Sequence, residues 1–295
     1  MIAFACAVKE SDAYRAHAGP GIDLAAERDS ERHVVAAVSS VCRSYNLLLD
    51  QAAGDDGLEA LVIVQEDVQI ADPRFCAAVR RALADPQVAV AGCIGATGVA
   101  SVAWWDAAVT AGRVIHRYPE YGGGELDAFA WARTAAPPAE VDMVAGFLLV
   151  LSPWAVRSLR FDEELFLGTG FDLDFCLRAR DAGKKVVTAD LHVIHHRQLE
   201  VIGERDAWIE AHIQLAEKWH GCLPGAPRRS SDWKQRARRA EAERDAAQTQ
   251  VFSTYSRREA RLVPLERELT AMTTTLGWRL TAPLRQFNAL RRRLR

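Results

Sequence analysis

Along the chain, short continuous apolar runs alternate with segments in which apolar residues recur every three or four positions. Ile2–Val8 and Ala60–Val64 are apolar throughout at strand length, the pattern of parallel strands covered by helices on both faces. Residues 31–53 between them have helical spacing. A helix over 73–84, a strand over 88–93, an apolar strand over 141–151, a helix over 171–182 and a strand at Lys185–Thr188 follow. This alternation predicts an α/β fold, a Rossmann-like, mostly parallel sheet with helices on both faces and ligands at the carboxyl ends of the strands.

Residues 95–138 break the alternation. They hold Gly122-Gly123-Gly124, Pro137-Pro138 and the aromatics Trp104, Trp105, Tyr118, Tyr121, Phe129 and Trp131. A loop this long inside a domain is usually functional or disordered. Aromatic rings suit the apolar face of a sugar, so Trp104 and Trp105 are candidate acceptor contacts, with core packing as the alternative.

A second break falls at Pro224, Gly225 and Pro227, after which Arg, Ala and Glu dominate. Two units are expected, a body over 1–224 and a helical tail over 225–295. In the tail, Leu262, Leu265, Leu269, Met272 and Leu276 recur at spacings of 3, 4, 3 and 4, a short heptad run with Pro264 inside it. Leu284, Phe287, Leu290 and Leu294 then form an apolar stripe flanked by arginines, a basic amphipathic helix suited to an anionic membrane surface or to a protein partner, including a second copy in a homodimer.

Charge sharpens this division. The formal net charge of -2 combines 20 Lys+Arg against 32 Asp+Glu in residues 1–224 with 17 against 7 in the remainder. An acidic body thus carries a basic tail, which suggests an anionic partner, membrane lipid or nucleic acid, with a solvated helical tail without a partner as the alternative; no nucleic acid is expected. With 49% hydrophobic residues, the 295-residue chain can bury a large core. Met1 to Val8 runs directly into Lys9, Glu10 and Asp12, so no leader is expected. The longest apolar run, 144–156, is shorter than the roughly 20 residues of a spanning helix. Six scattered cysteines without CxxC spacing read as reduced core residues. Together these predict a cytoplasmic protein, peripheral at the inner membrane face through its tail.

Three constellations can do chemistry. Gln65-Glu66-Asp67 follows Ala60–Val64 and places two carboxylates at the end of a central strand, where a hard divalent cation and substrate phosphates are well matched. In Gly168-Thr169-Gly170-Phe171-Asp172-Leu173-Asp174, Asp172 opens a helix, and two acids two residues apart cannot share one helical face, so their roles differ. Either can be a general base, with the other a structural or acceptor contact. Val193-Ile194-His195-His196 ends an apolar segment with two imidazoles, which are ligands for Mn²⁺.

The order of these sets, with Asp142-Met143-Val144-Ala145-Gly146-Phe147, Phe161-Asp162-Glu163 and Phe171 to Arg180 between them, resembles family 2-like glycosyltransferases of the GT-A fold, over about residues 1–220. The resemblance implies a hexosyltransferase moving a sugar from a nucleotide-diphosphate donor to a hydroxyl of a glycan or lipid-linked acceptor, with inversion and with Mn²⁺ or Mg²⁺. It implies Asp67 at the metal and diphosphate with Glu66 beside it, and His195 completing the metal shell with His196 as fallback. Val8, Lys9 and Glu10 would face the nucleotide, Asp142 and Gly146 the acceptor, and Asp172 would be the base. Gln65 and Phe171 depart from the family's acidic residues. The stretch Gly277-Trp278-Arg279-Leu280-Thr281-Ala282-Pro283-Leu284-Arg285 resembles a tail of bacterial glycosyltransferases that build surface polysaccharides. The competing readings are a sugar-nucleotide nucleotidyltransferase, against which stands the lack of a Gly-rich, Lys-containing phosphate loop near the first strand, and a non-catalytic scaffold.

Overall fold

The computed structural model describes residues 1–37, 40–107, 109–118, 125–128, 133–165, 169–196, 205–219, 222–225 and 234–281. The chain opens with β1 (Ile2–Val8), α1 (Ser11–Ala13), a π-helical turn (Tyr14–Ala18), α2 (Gly19–Ala25), β2 (Arg32–Ala36), α3 (Val41–Ala53), β3 (Ala60–Val64) and β4 (Val68–Ile70). Next come α4 (Phe75–Ala82), β5 (Val88–Gly92), β6 (Ile94–Thr97), a 3₁₀ turn (Trp104–Asp106), β7 (Val109–Gly112), β8 (Val114–Arg117) and β9 (Glu125–Ala128). Then follow β10 (Arg133–Ala135), β11 (Ala139–Val141), β12 (Met143–Val144), β13 (Leu148–Leu151), α5 (Pro153–Ser158) and α6 (Phe171–Asp181). The last elements are β14 (Lys185–Thr188), β15 (Val193–His196), α7 (Arg205–Lys218), α8 (Lys234–Thr274) and α9 (Leu276–Leu280).

A seven-stranded sheet in the order β11-β14-β5-β13-β3-β1-β2 forms the centre. Strands β2, β1, β3, β5 and β14 run parallel, while β13 and β11 run against them. The protein is therefore a mixed α/β fold with a large, mostly parallel sheet. Every residue of β3 and β5 is buried, which requires cover on both faces and explains their continuous apolar sequences. Phe75 of α4 meets Phe4 of β1 with ring centroids 6.2 Å apart, and burying each ring stabilises by about 1.5–3 kcal/mol. Cys6, Cys42, Cys76, Cys93 and Cys176 are buried free thiols; burial pushes Cys76 up to about 11 and Cys6 to about 12, so they pack as hydrophobes.

Two predicted elements need correction. Residues 31–53 are not one helix: Arg32–Ala36 is an edge strand of alternating exposure, and the helix begins only at Val41, capped by Ser40. Residues 141–151 are not one strand but β11, β12 and β13, because Asp142 turns to accept the amides of Gly98 and Val99 and the chain turns again at Gly146.

Two four-stranded sheets, β10-β7-β6-β12 and β4-β15-β8-β9, flank the centre. Against α7 and the β8-β9 edge of the second sheet lies α8, which sequence composition assigns to a separate tail. Its inner face is built of small residues, Ala242, Ala246, Thr249, Ser253, Ser256 and Ala260, all buried, which lets the helix approach closely. His212 of α7 lies 3.5 Å from Asp245 of α8, and Ala260 packs on Tyr118 and Leu126. Among the described residues no helix is long and apolar enough to cross a membrane. The arginine-flanked stripe beyond residue 281 lies outside the described residues, as do Gly122 to Gly124, Phe129 and Trp131.

Candidate active site

At the carboxyl end of β3, the chain leaves the central sheet as Gln65-Glu66-Asp67 and immediately enters β4. Strand β4 pairs antiparallel with β15 so that Val68 faces His195, and the His196 amide donates to the Asp67 carbonyl at 2.8 Å. This ladder brings His195 Nε2 to 3.3 Å from Asp67 Oδ2. The imidazole is further fixed by its neighbours. Phe147 lies at 4.6 Å between ring centroids and His116 at 5.2 Å, edge-on.

His195 and His116 face each other because β15 and β8 are parallel neighbours in register, Ile194 to Ile115 and His195 to His116. His116 Nδ1 in turn lies 2.8 Å from the Tyr118 hydroxyl. The sequence held a signal for this partner, since Val114-Ile115-His116 repeats Val193-Ile194-His195.

Asp172 approaches from the opposite side. Gly170 adopts φ 81°, a left-handed conformation that glycine tolerates, and turns the chain into α6. The Gly146 amide donates to Asp172 Oδ2 at 2.8 Å and the Leu173 amide to Oδ1 at 2.9 Å. Burial pushes this carboxyl above its ordinary value, and the two amides pull only partly against it. Gly146 has to be glycine here: a Cβ would lie 2.6 Å from Phe171 Cζ and 2.8 Å from Asp172 Cβ.

These groups line one cavity of about 280 Å³. Asp67, His195, Gly146, Asp172, Trp104 and Trp105 all border it, as does Gln65, whose side chain is hydrogen-bonded to Tyr45. Three wall residues escaped sequence reasoning because they come from α8: Phe252, Ser256 and Glu259. Phe252 packs on Trp105 with centroids 5.8 Å apart. Asp127 of β9 also borders the space.

The other expected site residues lie elsewhere. Asp174 does not border the cavity: it is fully buried, 2.6 Å from Lys218 Nζ and 3.0 Å from Arg178 Nε, and it accepts from the Trp219 indole at 2.8 Å. Asp142 leaves the acceptor contacts, being buried with the Gly98 and Val99 amides and 3.2 Å from Arg180. His196 faces the opposite side of its strand from His195, stacked on His17 at 3.7 Å and 3.0 Å from Gln69. Burial and the neighbouring cationic groups push it down to about 4. Glu66 points at the end of β1, where its Oε2 accepts from the Lys9 and Glu10 amides at 2.6 and 2.8 Å. It thus shapes the Val8 to Glu10 loop, and none of Val8, Lys9, Glu10 and Glu66 borders the cavity.

Among the described residues, no group of three or more His, Cys, Asp or Glu side chains is arranged to hold a metal ion. Asp67 and His195 are a pair of donors, one oxygen and one nitrogen. That number fits a small hard cation, which takes one or two protein ligands and completes its shell with substrate phosphates and water.

No family model matches the chain. Streptomycin biosynthesis protein StrF of Streptomyces griseus is 26% identical over 226 residues, 75% of this chain and 74% of that protein. The mannosyltransferase PcManGT from Pyrobaculum calidifontis, solved with GDP-Man and Mn²⁺, aligns over 97% of this chain and 84% of its own at 12% identity, with a TM-score of 0.47. Protein A197 from STIV aligns over 67% of this chain and 86% of its own at 14% identity, with a TM-score of 0.41.

Proposed function

We propose that the chain is a glycosyltransferase of GT-A type that transfers a sugar from a nucleotide-diphosphate donor to a hydroxyl acceptor with inversion. The observation that carries this reading is the meeting of Asp67 and His195, at 3.3 Å, in the same cavity as Asp172. The residue order that resembles family 2-like glycosyltransferases supports it, and the similarity to StrF over three quarters of both chains is in keeping with a biosynthetic protein.

In this reading Asp67 and His195 hold the donor's diphosphate end. A Mg²⁺ or Mn²⁺ ion bound by the pair supplies positive charge against the leaving diphosphate. Asp172 accepts the acceptor's hydroxyl proton as that oxygen bonds to the anomeric carbon and the bond from that carbon to the diphosphate breaks. A carboxyl raised by burial is the better proton acceptor at neutral pH, provided it stays ionised. Its amide contacts serve that end, and each oxygen retains a further lone pair. Trp104, Trp105 and Phe252 offer flat apolar surface for a sugar ring. The acceptor is a glycan or a lipid-linked sugar, reached at an anionic membrane surface through the basic residues that follow Thr281.

The test is a screen of nucleotide sugars for stabilisation against heat with and without Mn²⁺, followed by transfer assays on each hit. A donor that stabilises the wild type and Asp172→Asn alike, but is turned over only by the wild type, supports the reading. Absence of stabilisation by every nucleotide sugar overturns it in favour of a non-catalytic protein, and pyrophosphate release from a nucleoside triphosphate overturns it in favour of a nucleotidyltransferase.

A further inference from the structure

The outer face of α8 is inconsistent with a helix that stands alone in water. Its inner face carries the small residues that dock it on the body, and a surface helix with one face so buried should be polar on the other. Instead, Val251, Tyr255, Leu262, Leu265, Leu269 and Met272 stand outward with 42% to 65% of their surface exposed. From Leu262 the spacing is 3, 4 and 3, and Leu276 continues it by 4. Spacing of this kind is the seam of a two-stranded coil, with Leu262 and Leu269 at one core position of α8 and Leu265 and Met272 at the other.

We propose that α8 pairs in parallel with α8 of a second copy of this chain. The residues bordering the stripe decide between a helix and a lipid surface. A helix lying on a bilayer is flanked by Lys and Arg. Here the flanks are Arg261 on one side and Glu266 on the other, with Glu268 and Thr273 beyond, a mixed set suited to a protein partner. In a parallel pair Arg261 of one chain faces Glu266 of the other, five residues on, and symmetry repeats the contact. Arg258 occupies a core position, and a basic residue there lowers stability while fixing register. The seam is therefore tightest C-terminal to it. Pro264 falls outside the core positions. Val251, Tyr255, Arg258 and Leu262 border a groove shared with Ala103, Trp105 and Asp106 of the body, which leaves the stretch from Leu265 onward as the part of the face open to a second helix.

This inference rests on α8 and is independent of the catalytic reading. Light scattering of the full chain should give twice the 32.6 kDa chain mass, falling toward one chain on dilution. The double variant Leu265→Lys/Leu269→Lys should be monomeric with an unchanged melting temperature for the body, because both side chains are more than half exposed in the single chain. Orientation is read from Leu265→Cys in a Cys222→Ser background, since Cys222 is the exposed cysteine. A short bis-maleimide should link two such chains, because core residues of a parallel pair face their own counterparts. A wild type that is monomeric at high micromolar concentration, a dimer that survives the double lysine variant, or no cross-link at position 265 would each overturn the proposal.

Discussion

Asp67 and His195 are held side by side by a backbone ladder as well as by their side chains. The carbonyl of Asp67 receives the amide of His196, so the carboxylate and the imidazole arise from adjacent points on paired strands. Their 3.3 Å separation is thus a property of the fold, and substituting either side chain leaves the scaffold in place. Asp67→Asn and His195→Ala should each abolish the Mn²⁺-dependent part of donor-induced thermal stabilisation; the unliganded melting temperature should stay close to wild type in Asp67→Asn and fall in His195→Ala, which leaves a gap beside Phe147. Isothermal titration with the donor, with and without Mn²⁺, checks this.

Asp172 should show itself in the rate and its pH dependence. Asp172→Asn is expected to lower kcat by about 10²–10⁴-fold with donor affinity preserved. The wild-type rate should fall on acidification at a pH above the ordinary aspartate value of 3.8, since burial raises the carboxyl and the base must be ionised to act. Stability carries the opposite sign. A folded-state value above the unfolded one gives stability that is fully present below the unfolded value and lost as pH rises through the folded value. The Asp172→Asn melting temperature relative to wild type should therefore be higher at neutral pH than in acid, whatever the cost of setting its amide nitrogen against the Gly146 or Leu173 N–H.

Gly146→Ala tests how the base is positioned. The added methyl would press on Phe171 and Asp172 and has to push the first turn of α6 aside. Overpacking of this kind costs about 1–3 kcal/mol. We expect urea unfolding to report that loss, together with a fall in kcat larger than any change in donor affinity.

Asp174→Asn separates structure from chemistry two residues further on. The substitution strips the charge from a buried carboxylate beside Lys218 and Arg178, whose heads reach solvent, and weakens hydrogen bonds to charged groups worth about 1.5–3 kcal/mol each. Urea unfolding should reveal a large destabilisation, whereas kcat per folded molecule should remain near the wild-type value. A kcat loss equal to that of Asp172→Asn would restore Asp174 to the catalytic set.

Continuous apolar runs made part of this legible in advance. Ile2–Val8 and Ala60–Val64 coincide with β1 and β3 because both faces of those strands are buried. Arg32–Ala36 was hidden because a half-exposed edge strand joined to a helix resembles a longer helix. Asp67, His195 and Asp172 could be picked out from their places at the ends of elements. Asp142 and Asp174 carried the same chemical promise, and their own burial beside cationic partners became visible only in three dimensions. His116 was legible only as a repeat of the Val-Ile-His pattern at His195, and Phe252 and Glu259 could not be assigned from local pattern, because helix docking brings them to the cavity.

The change of composition at Pro224 divides the sequence, yet the cavity is built from both sides of it. Phe252, Ser256 and Glu259 form part of its wall, so the acidic body taken alone would lack one side of the cavity. If the cavity is where sugar is transferred, as proposed, a partner bound by the residues after Pro224 would act on a helix that also walls that cavity, and recruitment and turnover would share one mechanical element.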